Sequence, residues 1–173
     1  MVSMLSRVGA ALPVVVGAPG ARIRHHGRTQ EEGNVDWTLE LIVVPVTDID
    51  RSKAFYMDQV GFGLDVDHRA GEDFRVVQLT PPGSACSIAL MRNQPMAAGS
   101  LHGLQLCVED IVAARAELVG RGVEVGEPFH FGDTGQTPGL DPERRNYATF
   151  LSFSDPDGNT WLVQEKHRSD TEA

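Results

Sequence analysis

Apolar residues along the chain fall into short runs, and the breaks between runs are rich in Gly, Pro, Asp and Asn. Leu39 to Val46 is an apolar run of strand length. Thr47-x-x-Asp50 then has the spacing of a capping box, and Ile49, Ala54, Phe55 and Val60 give a helix face that Gly61 and Gly63 stop. Leu64 to His68, Phe74 to Thr80 and Ala85 to Met91 follow as three predicted strands, separated by Ala70-Gly71-Glu72 and Pro81-Pro82-Gly83.

The same order then repeats. His102 to Val108 predicts a strand, and Asp110 to Gly120 a helix carrying Ile111, Ala114 and Leu118 on one face. Val123 to Val125 and Phe129 to Phe131 are strand-like, and Tyr147 to Phe153 and Thr160 to Glu165 are strands joined by Asp155-Pro156-Asp157-Gly158-Asn159. Val46-Thr47-Asp48-Ile49 recurs as Val108-Glu109-Asp110-Ile111, so the chain contains an internal repeat. The second copy is longer by about a dozen residues between His130 and Asn146, an insertion of the size that usually carries function or is disordered. The pattern predicts an α+β protein of two βαβββ modules and eight strands, spanning 38–91 and 101–166 within one domain, 38–166.

Composition narrows the partners. The chain has 173 residues and a net charge of −9, from 15 Lys+Arg against 24 Asp+Glu. That balance repels phosphate backbones and anionic lipid, which argues against nucleic acid or a membrane surface as partner. No apolar run is long enough to span a bilayer. Cys86 and Cys107 lie in apolar runs and are expected to be buried free thiols, which favours a reducing cytoplasm. Residues 1–37 mix Gly, Pro, Arg and Gln without a sustained period and are expected to be a disordered leader; 167–173 forms a short tail.

The doubled βαβββ order, the Asp-Ile start of both helices and the Asp-Pro-Asp-Gly-Asn turn together resemble the vicinal-oxygen-chelate superfamily. Glyoxalases, bleomycin-resistance proteins and extradiol dioxygenases share that fold. The run Asp48-Ile49-Asp50-Arg51-Ser52-Lys53-Ala54-Phe55-Tyr56 is similar to its first-helix signature. Pro138-Gly139-Leu140-Asp141-Pro142-Glu143-Arg144-Arg145 is similar to a motif of bacterial glyoxalase/bleomycin-resistance/dioxygenase-like members. The resemblance implies the glyoxalase/bleomycin-resistance/dioxygenase fold. It also implies a place to look for a divalent metal, held by a His, Gln or Glu early in each first strand and a Glu in each last strand. Counting from the helix-opening Asp or from Asn159, those positions fall on Leu41, Gly103 and Leu162. Leu and Gly side chains offer no lone pair, so no metal and no other cofactor is expected. His102 is one residue from Gly103, and strand alternation turns it to the opposite face unless a bulge intervenes.

The same alternation assigns Leu41, Val43 and Pro45, then Gln105 and Cys107, then Thr160, Leu162 and Gln164 to the cavity face. Gln105 and Gln164 are candidates to orient a ligand, or to satisfy each other; Trp161 falls on the helix side. From the insertion come His130, a candidate general base, and the adjacent Arg144 and Arg145 with Tyr147, candidates to clamp an anionic or aromatic ligand. A local pairing of one arginine with Asp141 or Glu143 is the alternative. The expected function is metal-free binding or sequestration of a small molecule, with a homodimer plausible by resemblance. The alternative is an enzyme of lyase, isomerase or dioxygenase type, working through a metal in a shifted register or through His130 as base.

Overall fold

The computed structural model describes residues 35–71, 74–133 and 135–167. Of the leader expected over residues 1–37, residues 1–34 lie outside them, as does the end of the tail. Val35 to Glu40 has no regular element and leads into β1 (Leu41–Pro45). Helix α1 (Ile49–Ala54) follows and runs on as a π-helical stretch, Phe55–Val60. Then come β2 (Gly63–Ala70), β3 (Phe74–Thr80) and β4 (Ser87–Met91). The second module holds β5 (Leu104–Val108), α2 (Ile111–Gly120), β6 (Phe129–Gly132), β7 (Gly135–Pro138), β8 (Thr149–Ser154) and β9 (Thr160–Glu165).

The repeated Asp-Ile has a local cause. Asp48 and Asp110 are both in extended backbone, and each caps its helix: Asp48 accepts from the Arg51 N–H, Asp110 from those of Val112 and Ala113. The next residue, Ile49 or Ile111, is buried in the core. The cap is therefore Asp48 and not Thr47, whose side chain is engaged across the molecule instead. Gly61, at φ +89°, ends the π-helical stretch in a conformation that costs other residues strain.

Each module makes one sheet. The first has strand order β1-β4-β3-β2 and the second β5-β9-β8-β6-β7. In both, the first strand pairs parallel with the last, Leu41 opposite Ser87 and Leu104 opposite Trp161, and the other pairs are antiparallel. Two expectations are corrected. Val123 to Val125 is no strand; Val125 makes an isolated bridge to Phe153. The insertion is ordered as a hairpin that adds β7 to the sheet edge, so the described residues hold nine strands, not eight.

The helix side of both sheets feeds one core. Val44, Leu79 and Leu90 from the first sheet join Leu151, Trp161 and Val163 from the second, with Ile49, Tyr56, Ile111 and Leu118 from the helical segments. Burying that apolar area is the main favourable term for the fold. A polar latch closes the junction between the modules. The buried Tyr56 hydroxyl donates to Asp155 Oδ2 (2.9 Å) and accepts from Trp161 Nε1 (3.0 Å). Asn159 Nδ2 donates to the same Asp155 oxygen (2.7 Å) and to the Pro45 carbonyl (3.1 Å). Asp157 Oδ1 accepts from the Thr47 N–H and hydroxyl and from Arg51 Nη2. The Asp-Pro-Asp-Gly-Asn turn is thus both a strand connection and the clasp that receives the first module.

Candidate functional site

Because the helices cover one side of each sheet, the opposite side of each is left facing away from the core. On the second sheet, the register sets Phe129, Phe150, Gln164 and Cys107 side by side across β6, β8, β9 and β5. The neighbouring row holds Ser152, Leu162 and Gln105, with Phe131 two residues along β6 from Phe129. None of these eight side chains carries a charge. On the first sheet the comparable rows hold Val66, Gln78, Ala89 and Val43, and beside them Ser87 and Leu41. Gln78 Nε2 donates to Ser87 Oγ (3.1 Å). Asp67 with Arg75 and Lys53, and the fully buried Glu165 with Arg144, sit on the helix side, while Asp65 accepts from the Thr80 hydroxyl, which also meets Ser87 Oγ on the helix-free side.

The structure places the expected residues unevenly. Leu41, Gln105, Leu162 and Gln164 share the helix-free faces. Gln164 Nε2 donates to Cys107 Sγ (3.4 Å), not to Gln105. Cys107 is exposed and Cys86 half-buried, both free, so the expectation of two buried thiols is corrected: Cys107 is on the uncovered face of β5, the edge strand of its sheet. Pro45 is buried beneath the latch. Trp161 lies on the core side.

His102 differs from expectation. Gly103 takes φ +82°, which breaks the strand alternation just before β5. The His102 ring consequently lies 3.2 Å from the Thr160 hydroxyl, on the residue that alternates in phase with Leu162 and Gln164. His130 also departs. It opposes the buried Thr149 in the β6–β8 pair, on the other side of β6 from Phe129, and its Nδ1 lies 3.1 Å from the Gly139 carbonyl. That position withdraws it from the face it was expected to serve as a base. Arg144, at φ +51°, pairs with Glu165 Oε1 (2.6 Å) on the helix side. Glu165 Oε1 also accepts from the Ile111 N–H. Arg145 pairs with Asp141 (2.6 Å), the local pairing weighed for this loop. Hydrogen bonds from Arg145 hold the Asp141 carboxyl down at about 2. Tyr147, at φ +63°, is half exposed and bonds through its N–H to the Glu165 carbonyl.

Phe129, Phe131 and Phe150 were not among the expected site residues. Phe129 and Phe150 stack with ring centroids 5.7 Å apart, and Phe131 meets both nearly edge-on at 5.8 and 5.6 Å. The alternation Phe129-His130-Phe131 was the available signal, since two aromatics two apart share one face of a strand.

The family model of the glyoxalase/bleomycin resistance protein/dioxygenase superfamily matches residues 38–163. The chain belongs to that superfamily. Among solved structures, it is similar to TnmS3, an antibiotic-binding protein from Streptomyces sp. CB03234. Identity is 32%, with 77% of this chain and 98% of that chain covered and a TM-score of 0.61. A glyoxalase/bleomycin resistance protein from the same strain is 34% identical, covering 74% of this chain and all of that one at a TM-score of 0.57. Among curated proteins, the uncharacterized YetH of Bacillus subtilis is 25% identical over 127 residues, 72% of this chain and 94% of YetH.

Members of this superfamily that use a divalent metal need several oxygen or imidazole donors converging on one point. The residues of this member do not fit that requirement. Leu41 and Leu162 occupy two of the donor positions and Gly103 a third. His102 reaches the face but has Thr160 as its partner, and the described residues hold no group of three His, Cys, Asp or Glu side chains close enough to share an ion.

Proposed function

We propose that this protein binds and sequesters a small, largely apolar molecule, and that two copies build the site by setting the first-sheet face of one against the second-sheet face of the other. The observation that carries the reading is the pair of helix-free sheet faces, both largely apolar, on which Leu41, Val66, Gln105, Cys107, Phe131 and Ser152 are exposed among the described residues. A face rich in Phe, Leu and Val with a few amides is the usual composition of a small-molecule site. A single sheet face is open to water, so a second wall is required to bury most of a ligand. Similarity to an antibiotic-binding protein supports the same reading. Free thiols suit a cytoplasmic location, and the net charge of −9 leaves nucleic acid a poor partner.

Sedimentation velocity and equilibrium binding of Nile red, a neutral solvatochromic dye, test this together. A dimer with a blue-shifted, saturable dye signal is expected. Leu162→Glu puts a charge into the floor and is expected to weaken dye binding by about tenfold or more, since an unpaired carboxylate is costly to bury. A monomer, or dye uptake indifferent to Leu162→Glu, defeats the reading. A catalytic reading has one observation in its favour, the His102 ring beside Thr160 at the border of the face. Its test is turnover of a bound ligand that vanishes in His102→Ala while binding persists.

A further inference from the structure

We propose that the π-helical stretch of the first module builds a separate ligand site, on the helix side of β5, for a lipophilic amine. The apolar body of the amine lies between the modules and its cationic end meets Asp58 and Glu117. This site is distinct from the helix-free faces and does not depend on them.

Three observations converge. The first comes from the internal repeat. Asp48 and Asp110 open the two helical segments, and Gly61 (φ +89°) and Gly122 (φ +83°) stand just past their ends. Gly61 follows its Asp by thirteen positions and Gly122 by twelve, so the first module carries one residue more. The extra residue is taken up in the π-helical turn, where the Gly61 N–H bonds back to the Tyr56 carbonyl. The matching helix of the second module, α2, stays α-helical from Ile111 to Gly120. Such π turns inside helices are rare and recur at functional sites. Second, a cavity of about 700 Å³ lies where this turn ends, within the volume range of small-molecule sites. Met57 and Val60 wall it from the first module and Leu106 and Val108 from the second, above the buried Phe153 and Val163. Strand alternation sets Leu106 and Val108 on the opposite side of β5 from Gln105 and Cys107, so the cavity is not part of the helix-free face. All four wall residues pack on the core yet are only partly buried, which leaves apolar surface for an occupant to cover.

Third, the charges in the lining are unbalanced. Asp58 comes from the π turn, Glu117 from α2 and Arg121 from its C-cap. Arg121 pairs with Glu117, and its guanidinium lies against Gly61, where a Cβ would collide with it. Asp58 is exposed and has no hydrogen bond or ion pair among the described residues. Two carboxylates therefore share one guanidinium, in a chain whose net charge is −9. That balance attracts a cation and repels a carboxylate or phosphate. A ligand ammonium gives Asp58 a partner and leaves the Arg121–Glu117 pair in place, while its carbon chain covers the partly buried wall.

Methionine-methyl NMR of the full chain near neutral pH locates the binding, with the Met57 resonance identified by Met57→Leu. The probe is n-decylammonium; decanoate is its anionic counterpart and decan-1-ol its neutral one. The Met57 signal is expected to shift saturably with decylammonium, to report an affinity about fivefold weaker for decan-1-ol, and to stay in place with decanoate. Asp58→Asn, at an exposed position, is expected to weaken decylammonium about fivefold and to leave decan-1-ol unchanged. Glu117→Gln, on the other helix, is expected to weaken decylammonium at least as much, because it also releases Arg121, and it serves where Asp58→Asn disturbs the π turn. A Met57 signal that ignores decylammonium, equal affinity for decanoate or decan-1-ol, or unchanged decylammonium affinity in the folded carboxylate variants overturns the proposal. Met57 reports on the helix side, so each of these outcomes holds whether or not Nile red binds the sheet faces.

Discussion

Replacing Tyr56 by Phe removes one oxygen from the centre of the junction between the modules. The ring packing is kept: Phe at this position still stacks on Phe62 and meets Phe55 and Trp161 edge-on. What is lost is a hydroxyl that donates to Asp155 and accepts from Trp161. Burial, reinforced by the Asp155 charge, pushes the phenol above its ordinary range, so it stays protonated and donating at every ordinary working pH. A hydrogen bond to a carboxylate contributes about 1.5–3 kcal/mol. Stranding the buried Trp161 N–H costs about 1–3 kcal/mol more. Asp155 Oδ2 keeps the Asn159 amide, which places the sum toward the low end, about 3 kcal/mol. For a body of this size that corresponds to a fall of roughly 10 °C in Tm. Urea unfolding followed by near-ultraviolet dichroism, at fixed protein concentration, measures it. A Tyr56→Phe/Trp161→Phe cycle should show coupling of about 1 kcal/mol, because the two share one hydrogen bond. A single-variant loss under about 0.5 kcal/mol, or strict additivity in the cycle, would refute the view that the latch holds the modules together.

Stability should also fall in acid. Hydrogen bonds from Arg145 hold Asp141 at about 2, and those from Arg75 and Lys53 push Asp67 further below its ordinary value. Both folded-state values lie below the unfolded one, so the contribution is complete above about pH 4 and drains as pH falls through the folded values. The urea midpoint should drop between pH 6 and pH 3, less steeply in Asp141→Asn; an unchanged slope sinks the assignment. Arg144→Ala strands the buried Glu165 carboxylate and, with Arg144 itself half exposed, is expected to cost about 2 kcal/mol, much of it recovered in Arg144→Ala/Glu165→Gln. No recovery in that double variant, read by urea unfolding, would mean the pairing is not what the loss reports. Gly103→Ala should cost about 1 kcal/mol from its positive φ alone, since the structure leaves open space for the added carbon. An unchanged melting temperature would show that the backbone there relaxes freely.

Much of this architecture was legible in the chain because a strand's period is two and a helix cap is a local event. Alternation placed Gln105, Leu162 and Gln164 on one face and Trp161 on the other, and the paired Asp-Ile caps located both helices. The reading broke where geometry departs from the period. Gly103 takes a left-handed conformation that sequence spacing does not reveal, so His102 arrives on the face from which counting had removed it. His130 failed in the opposite way: its face is fixed by the register with β8, a long-range fact. The aromatic cluster escaped for the same reason, since Phe129 and Phe150 meet only through strand pairing and a lone Phe in a strand is usually core. The β6–β7 hairpin carries Gly132, Asp133 and Gly135, turn chemistry that was visible but was folded into an undifferentiated insertion.

The latch has a kinetic consequence. It joins residues 99 to 114 positions apart, whereas α1 forms between neighbours and the β2–β3 and β8–β9 ladders pair strands close in sequence. Closing so long a loop is unfavourable until other contacts reward it, so each module can gain its local pairings first. On that order the Tyr56–Asp155 bond is expected to form after the main barrier, and an unchanged refolding rate in Tyr56→Phe is the measurement that checks it. Interactions made after the barrier scarcely change how fast a chain folds, and act instead on how slowly it comes apart. The turn at Asp155 thereby acts on the lifetime of the folded molecule rather than on the speed with which it forms.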